Sequence, residues 1–388
     1  MNRPTNVLLV TKSTGGVADY IRQLVHGLQG SRYTFTVICL SENGPKFAIE
    51  LGQIEGVKAF SLKMNRYKVD PISDLGVLFA LARHLRTEKY DIIHAHASKP
   101  GFLTRFAAIG TATPVLYSPH CFAFHAGVGH YKARIIAVLE DFAARYFTTR
   151  IVLVSDGERE LARSYGIGKD TLFVTVFNGI DPEKYSTSVE KIEIKKSLNI
   201  PANAALVCSV GRLCEQKSPL DFVHMAAILH KRKRDIHFIW VGGGPLMEAA
   251  QALQTELGLN EVLHFLGHRN DVKELLQASE CFVLSSLWEG FATVLLEAMA
   301  AGTPVVATDI LGNRDAIRSG VDGLLVPVKN PDALAQAVLE IVNNPELSLK
   351  FSNNARGRVV KEFNRQQMLD GLSSLYDSLT MESMIERV

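Results

Sequence analysis

The sequence predicts an α/β protein made of two consecutive doubly wound parallel sheets, and three observations carry that prediction. Short apolar runs alternate with helix-length segments along nearly the whole chain. The runs are continuously apolar rather than alternating, as strands covered on both faces are. A polar, proline-containing stretch near the middle divides the series in two.

The first series opens with "NVLLVT" and a helix over 17–28. It continues through "FTVICL", a helix, and a strand near 57–61. Helical stretches around 72–88, 99–110 and 131–147 then separate "DIIHAH", "PVLYSP" and "RIVLVS". The stretch "NGIDPEKYSTSVEKIEIKKSLNIPANA" holds Pro182 and Pro201 and reads as the interdomain connection, with a short helix over 190–198. The second series comprises "ALVCSVGRL", "IHFIWVGGG", "VLHFLG", "CFVLSS", "PVVATD" and "GLLVPV", with helices between. The expected architecture is an N-terminal Rossmann-like domain over 1–180 and a second over 200–363, facing a central cleft. Ligands of such sheets sit beyond the carboxyl ends of strands, so the chemistry should lie just after them.

At 388 residues the chain is long enough for both domains, and 47% apolar with 21% charged residues is the balance of a soluble globular protein. A net charge of +2 argues against nucleic-acid binding. The cluster Lys231 to Arg234 reads as a solvated helix C-terminus. Residues 1–190 carry 22 basic and 17 acidic groups, a net of +5 against −3 for the remainder, which is compatible with the first half approaching an anionic membrane surface. The five scattered cysteines include no Cys-x-x-Cys pair, which speaks against zinc or a disulfide framework and for reduced core thiols in a cytoplasmic protein. The first apolar run, Val7 to Val10, is too short for a signal peptide or a membrane span, and no later run reaches spanning length.

Several motifs fall after strands. Gly15-Gly16 follows the first strand and opens a helix, whose free amides suit an anion, although a plain strand-to-helix turn also accounts for them. Arg212 and Lys217 in "SVGRLCEQKS" combine a guanidinium fork with a point charge, a set that suits a pyrophosphate; solvated loop cations are the alternative. Gly242-Gly243-Gly244 ends the next strand and permits either close ligand approach or a tight turn. His94 and His96 share one face of their strand but lack a third metal ligand at convincing spacing. His120 in "YSPHCFAF" follows a strand end and is expected to face the cleft.

Two acids stand out in "LWEGFATVLLEAMAAGTPVVATD". Glu297 lies about one turn inside an otherwise apolar helix, and Glu289 lies in the loop before it. A carboxylate there is expensive to bury unless donors meet it, and vicinal sugar hydroxyls are such donors. Eight residues of helix would span about 12 Å, too far for a close acid/base pair and suited to gripping two parts of one ligand. A core arginine or the backbone is the competing explanation.

Taken in order, the Gly-Gly loop, "NGID", "VGRLCEQKS", "VGGGP", "FLGHRNDV" and "EGFATVLLEAMAAGTPVVATD" resemble retaining GT-B glycosyltransferases of glycosyltransferase family 4, over almost the whole chain and most strongly from about 205 to 330. The resemblance implies a nucleotide-sugar donor, UDP-sugar before GDP-sugar, and a saccharide acceptor, lipid-linked, in polysaccharide or glycan assembly. It also implies a crossover helix, about 364–388, returning to the first domain. Gly15, Gly16 and Val17 would face the distal phosphate, and Arg212 and Lys217 would neutralise the diphosphate. Gly243 would lie along the donor, and His268 and Arg269, within 265–272, would border the nucleobase. Glu289 with Gly290, Phe291, Ala292 and Thr293 would bind the donor sugar, and Glu297 the ribose. His120 would lie near the sugar's hydroxymethyl group and, with Arg212, Lys217 and Glu289, make up the catalytic set. Many members carry Gly where this chain has Ala292-Thr293, a departure that bears on donor choice.

The resemblance further implies same-face attack by the acceptor hydroxyl, with no divalent metal and no cofactor. The acceptor is expected on the first domain, where "HAGVGHYKARIIAVLEDFAARYF" mixes aromatic, aliphatic and basic residues fit for a membrane surface; buried helix packing is the alternative. The place of action is accordingly the cytoplasm, at the inner face of the membrane. A sugar-nucleotide epimerase of the same architecture and an inactive nucleotide-sugar-binding relative are the competing functions.

Overall fold

The computed structural model describes residues 3–385 except 31, 43, 66–69 and 188. The chain divides into two compact units, Met1–Asn178 with Arg365–Val388, and Gly179–Asn364.

The first unit runs β1 (Thr5–Lys12), α1 (Gly16–Leu28), β2 (Tyr33–Ser41), α2 (Lys46–Gly52), β3 (Val57–Lys63), α3 (Pro71–Thr87), β4 (Ile92–His96), α4 (Ser98–Ala107), β5 (Val115–Ser118), α5 (His130–Phe147), β6 (Arg150–Leu153), α6 (Asp156–Ser164) and β7 (Phe173–Thr175). Its strands lie in the order β3-β2-β1-β4-β5-β6-β7, paired in parallel. Alternate residues of β1 show why its run is continuously apolar. Val7 and Leu9 enter one core with α1 and α2, whereas Leu8 and Val10 enter a second core with α3 and α4. The chain winds leftward to β3 and then restarts at β4, so the loops after β1 and β4 diverge and leave a crevice between them.

The second unit contains α7 (Lys191–Ser197), β8 (Ala205–Val210), α8 (Pro219–Arg232), β9 (Ile236–Val241), α9 (Met247–Glu256), β10 (Leu263–Gly267), α10 (Val272–Ala278), β11 (Cys281–Leu284), α11 (Thr293–Ala301), β12 (Val305–Thr308), α12 (Leu311–Ala316), β13 (Leu324–Val326), α13 (Pro331–Asn343) and α14 (Pro345–Glu362). The order β10-β9-β8-β11-β12-β13 is again parallel throughout. Here the crevice opens between β8 and β11. The last helix, α15 (Arg365–Ile385), returns to the first unit. Leu369, Leu372 and Tyr376 join the core beneath α1. A Cβ at Gly27 would lie 2.3 Å from the Leu369 side chain, so any larger residue there would have to displace that leucine.

Three features differ from the sequence expectation. The first sheet gains β7, a strand of three residues that is too short to stand out as an apolar run. The stretch from Gly179 is not a free connection but part of the second unit. Gln277 Nε2 donates to the Tyr185 and Thr187 carbonyls, and Lys195 Nζ donates to Ala204 O and Glu280. Of the five free cysteines, Cys39, Cys208 and Cys281 are core thiols, whereas Cys121 and Cys214 are partly exposed on loops.

Candidate functional site

In the second unit the candidate residues cluster at the β8–β11 crevice. The loop after β8 is laced to the one after β9. Leu213 N–H donates to Gly243 O at 3.0 Å, Leu246 N–H to Leu213 O at 2.9 Å, and Trp240 Nε1–H to Gly211 O at 3.0 Å. A Cβ at Gly242 would fall 2.2 Å from Gly211 O, and one at Gly244 2.3 Å from Leu213 O. Those two glycines therefore serve loop packing. Gly243 instead borders the exposed His268 ring, 3.5 Å from where its Cβ would be.

Lys217 ends a 3-10 turn over Glu215–Lys217, and Ser218 follows with φ 46 before Pro219 opens α8. That left-handed residue brings the chain round so that Lys217 Nζ reaches Glu289 Oε1 at 2.5 Å. Ser286 Oγ donates to the same oxygen at 2.7 Å, and Gln216 Nε2 donates to Glu289 Oε2 at 3.1 Å and to Trp288 O at 3.0 Å. Leu287 N–H donates to Gln216 O, and Ser285 Oγ to Lys217 O, so each loop holds the other. The Lys217 side chain is 16% exposed and that of Glu289 9%. An ionised carboxylate offers about four acceptor sites, so Glu289 keeps room for about one more donor. The ammonium has further N–H groups to offer an anion. Sequence reasoning gave these two residues separate tasks; the fold makes them one ion pair.

Around this pair, Arg212 is exposed and Nη2 lies 3.7 Å from Cys214 Sγ. Arg269 is engaged by Asp271 at 2.5 Å, beside exposed His268. Gly290 and Phe291 are buried, and the Phe291 ring packs 5.3 Å from Phe363. A Cβ at Gly312 would meet Gly290 O at 2.6 Å, which locks the loop after β11 against α12. Ala292 precedes α11 without a side-chain cap, and Thr293 begins the helix. Six of the nine residues of α11 are buried, but Glu297 is only partly so. Burial, then the charges of Glu297 and Glu274, push the Tyr185 phenol upward, which puts Tyr185 near Glu297. Sequence reading left Tyr185 in the connection and could not see this neighbour.

In the first unit, Gly15 has φ 70 and ψ −166, a conformation open essentially to glycine alone, and Gly16 starts α1. Val17 turns its side chain into the core, leaving only its backbone for a ligand. Across the crevice lie three histidines. His94 is buried between Tyr376 Oη (Nδ1, 2.7 Å) and Ser118 Oγ (Nε2, 2.9 Å). Its ring lies 4.0 Å from that of His96, tilted by 36°, and His96 Nδ1 lies 3.0 Å from His120 Nε2. Tyr20 of α1 packs edge-on against His120 at 4.7 Å. Burial, the largest cause in each case, depresses all three histidine pKa values, His94 to about 3 and the other two well below the usual value. Lys12 adds to the depression at His120. Among the described residues no group of three His, Cys, Asp or Glu side chains is placed to hold a metal ion.

His120 and Cys121 both have positive φ, 48 and 86, a strained pair that needs support. Glu158 supplies it, a residue sequence reading missed. Its carboxylate accepts from Cys121 N–H and, at 3.0 Å, from Val154 N–H, while its own N–H donates to Ser155 Oγ. The signal was there to find: Ser155-x-x-Glu158 is the spacing of a capping box.

The outer face of α5 is apolar. Tyr131, Ile135, Val138, Leu139, Phe142 and Tyr146 are all exposed, beside Lys132, Arg134 and Arg145. Neither acid of the helix joins that face. Glu140 is buried in a two-pronged pair with Arg105 at 2.6 and 2.9 Å. Asp141 is held by Arg145 and by Gly168 N–H, each at 2.7 Å. On α3, Ile72, Leu75 and Phe79 are exposed at helical spacing, with α4 packed between the two helices. No helix of the described residues is long and apolar enough to cross a membrane.

Two family descriptions match this chain: "Glycosyl transferase 4-like domain" over residues 15–178 and "Glycosyl transferases group 1" over 190–358. Among curated relatives, an Escherichia coli UDP-Gal:alpha-D-GlcNAc-diphosphoundecaprenol alpha-1,3-galactosyltransferase is 32% identical over 355 residues, 90% of each chain. A Campylobacter jejuni N,N'-diacetylbacillosaminyl-diphospho-undecaprenol alpha-1,3-N-acetylgalactosaminyltransferase is 28% identical, covering 77% of this chain and 80% of the relative. Anabaena HepE, solved with UDP and glucose, aligns with a TM-score of 0.82 and 21% identity over 96% of this chain and all of that one.

Proposed function

The chain belongs to the GT-B glycosyltransferases of family 4, the glycosyl transferases group 1, and from that membership we propose that it moves a sugar from a UDP-sugar to a hydroxyl of a polyprenyl-diphosphate-linked saccharide. The observation that carries the donor side is the Lys217–Glu289 pair at the β8–β11 crevice, a preorganised cation where a strand-end ligand binds. The acceptor class rests on the likeness to the E. coli and C. jejuni enzymes, whose names both specify diphosphoundecaprenol-linked saccharides.

The reaction breaks the bond between the anomeric carbon and the diphosphate oxygen and forms one to the acceptor oxygen; the acceptor proton leaves with the diphosphate. Charge accumulates on the diphosphate, so fixed donors matter most. Lys217, with Arg212 on the same loop, meets that charge. Glu289 holds Lys217 in place and accepts one sugar hydroxyl with its remaining capacity, while Glu297 takes the ribose hydroxyls. His268 and Arg269 border the base. In the first unit Gly15, Gly16 and the Val17 amide meet the distal phosphate, and His120 meets a sugar hydroxyl. Configuration at the anomeric carbon is retained, and no metal is required. The apolar, basic outer face of α5 rests on the membrane that carries the acceptor, which gives the enzyme a peripheral, cytoplasmic-side position.

The test is release of UDP that requires both donor and lipid-linked acceptor, with NMR of the product reporting the anomeric configuration. Donor isomerisation without acceptor would replace this reading with an epimerase. Donor binding without turnover across a broad acceptor panel would leave a binding protein.

A further inference from the structure

We propose that His96 is a positioning residue that holds His120 in its Nδ1–H tautomer, so that His120 offers a hydrogen-bond donor to a ligand oxygen. This rests on the reading above for the ligand itself, a sugar hydroxyl, but the tautomer follows from the protein alone.

His96 Nδ1 and His120 Nε2 face each other at 3.0 Å, so one of them carries the proton between them. With both rings neutral, each alternative fixes every other position. If His120 Nε2–H donates, His96 Nδ1 accepts and His96 must carry its own proton on Nε2. That atom is buried and has no hydrogen-bond partner among the described residues. A buried N–H would then be left without an acceptor, an arrangement that proteins rarely tolerate. If His96 Nδ1–H donates instead, the buried atom is a bare lone pair and no donor is orphaned. His120 Nε2 is then the acceptor, and its proton sits on Nδ1. The Tyr20 ring, 5.6 Å from that of His96, offers only the second-order attraction of a π face to the first alternative.

The neighbours prevent His96 from escaping this choice. His94 is fixed by Tyr376 and Ser118 on its two nitrogens and packs, tilted, against the His96 ring at 4.0 Å. Tyr20 lies against both His96 and His120. The backbone of His120 is held by the Glu158 contact to Cys121 N–H. Burial keeps the rings neutral, so no second proton enters the pair near neutral pH. In water a histidine exchanges freely between tautomers; here the choice is made by a residue that need not touch the ligand.

The experiment is long-range 1H–15N correlation NMR at pH 7.5 on the full chain labelled with 15N-histidine, with His120 assigned from a His120→Asn variant. Wild type is expected to show His120 protonated on Nδ1 and His96 likewise. His120 protonated on Nε2 would overturn the proposal. His96→Leu is expected to release His120 into a tautomer mixture and raise the donor KM about tenfold. His96→Asn, whose amide N–H stands where Nδ1 stood, is expected to restore the Nδ1–H form and most of the affinity; an Asn variant no better than Leu would refute the positioning role. Wild-type transfer by His120→Ala would overturn His120 as a ligand contact, and so separate that failure from failure of the tautomer assignment.

Discussion

Lys217 and Glu289 stand 72 residues apart in the chain and 2.5 Å apart in space, each mostly shielded from water. Removing either leaves the other short of its partner in a poorly solvated site. Lys217→Ala is expected to lower transfer by on the order of 3 kcal/mol, more than a hundredfold. It should also destabilise the fold by roughly 3 kcal/mol, because Glu289 loses its cation. Rates and urea unfolding of Lys217→Ala, Glu289→Gln and the double variant check this. Strict additivity of the two single changes would show that the pair does not act as a unit.

Glu297→Ala should weaken UDP binding as well as UDP-sugar binding, since the ribose is common to both. A loss of about ten- to a hundredfold in affinity by calorimetry, with unfolding unchanged, is the expected outcome. Equal affinity of variant and wild type for UDP would remove Glu297 from the site.

Transfer should persist in excess EDTA if, as proposed, Lys217 and Arg212 meet the diphosphate charge. Complete loss of activity, restored by Mg²⁺ or Mn²⁺, would contradict the metal-free reaction.

Ile135→Glu with Phe142→Glu should abolish co-sedimentation with vesicles containing anionic phospholipid while leaving transfer to a short-chain, water-soluble acceptor within about twofold. Binding of the wild type should weaken as salt rises. Unchanged sedimentation of the double variant would free α5 from any membrane role.

Acid should destabilise the first unit earlier than carboxylate titration alone would. His94 is depressed to about 3 in the fold, against about 6.5 when unfolded. The unfolded chain therefore binds more protons as pH falls below 6.5, and stability present above that pH is lost progressively towards pH 3, at up to about 1.4 kcal/mol per pH unit for this one group. His96 and His120 act in the same direction. Urea midpoints between pH 7.5 and 5 measure the slope, and His94→Asn should reduce it by about one proton.

The sequence revealed what is periodic or local. Continuous apolar runs marked both sheets, and His94 and His96 were placed on one face by the two-residue repeat of a strand. What stayed hidden depends on strand order. β8 and β11 are neighbours only because the chain winds out to β10 and returns, and that return creates the Lys217–Glu289 contact. His120 likewise reaches His96 because β5 lies beside β4. Tyr185 was hidden for another reason: a polar, proline-bearing segment looks like a linker until α10 is there to hold it through Gln277.

The Arg105–Glu140 pair has a consequence outside the core it sits in. Glu140 belongs to the same helix whose other side is greasy and positively charged, and Arg105 is what keeps the carboxylate turned inward. Without that guanidinium the buried carboxylate is left uncompensated, which costs roughly 3–5 kcal/mol and drives it to take up a proton or to seek water. An interior substitution such as Arg105→Leu would thereby disturb the helix that carries the face proposed to meet lipid. It would register first as a loss of stability in the first unit, and with it of the order that the outer side of α5 needs.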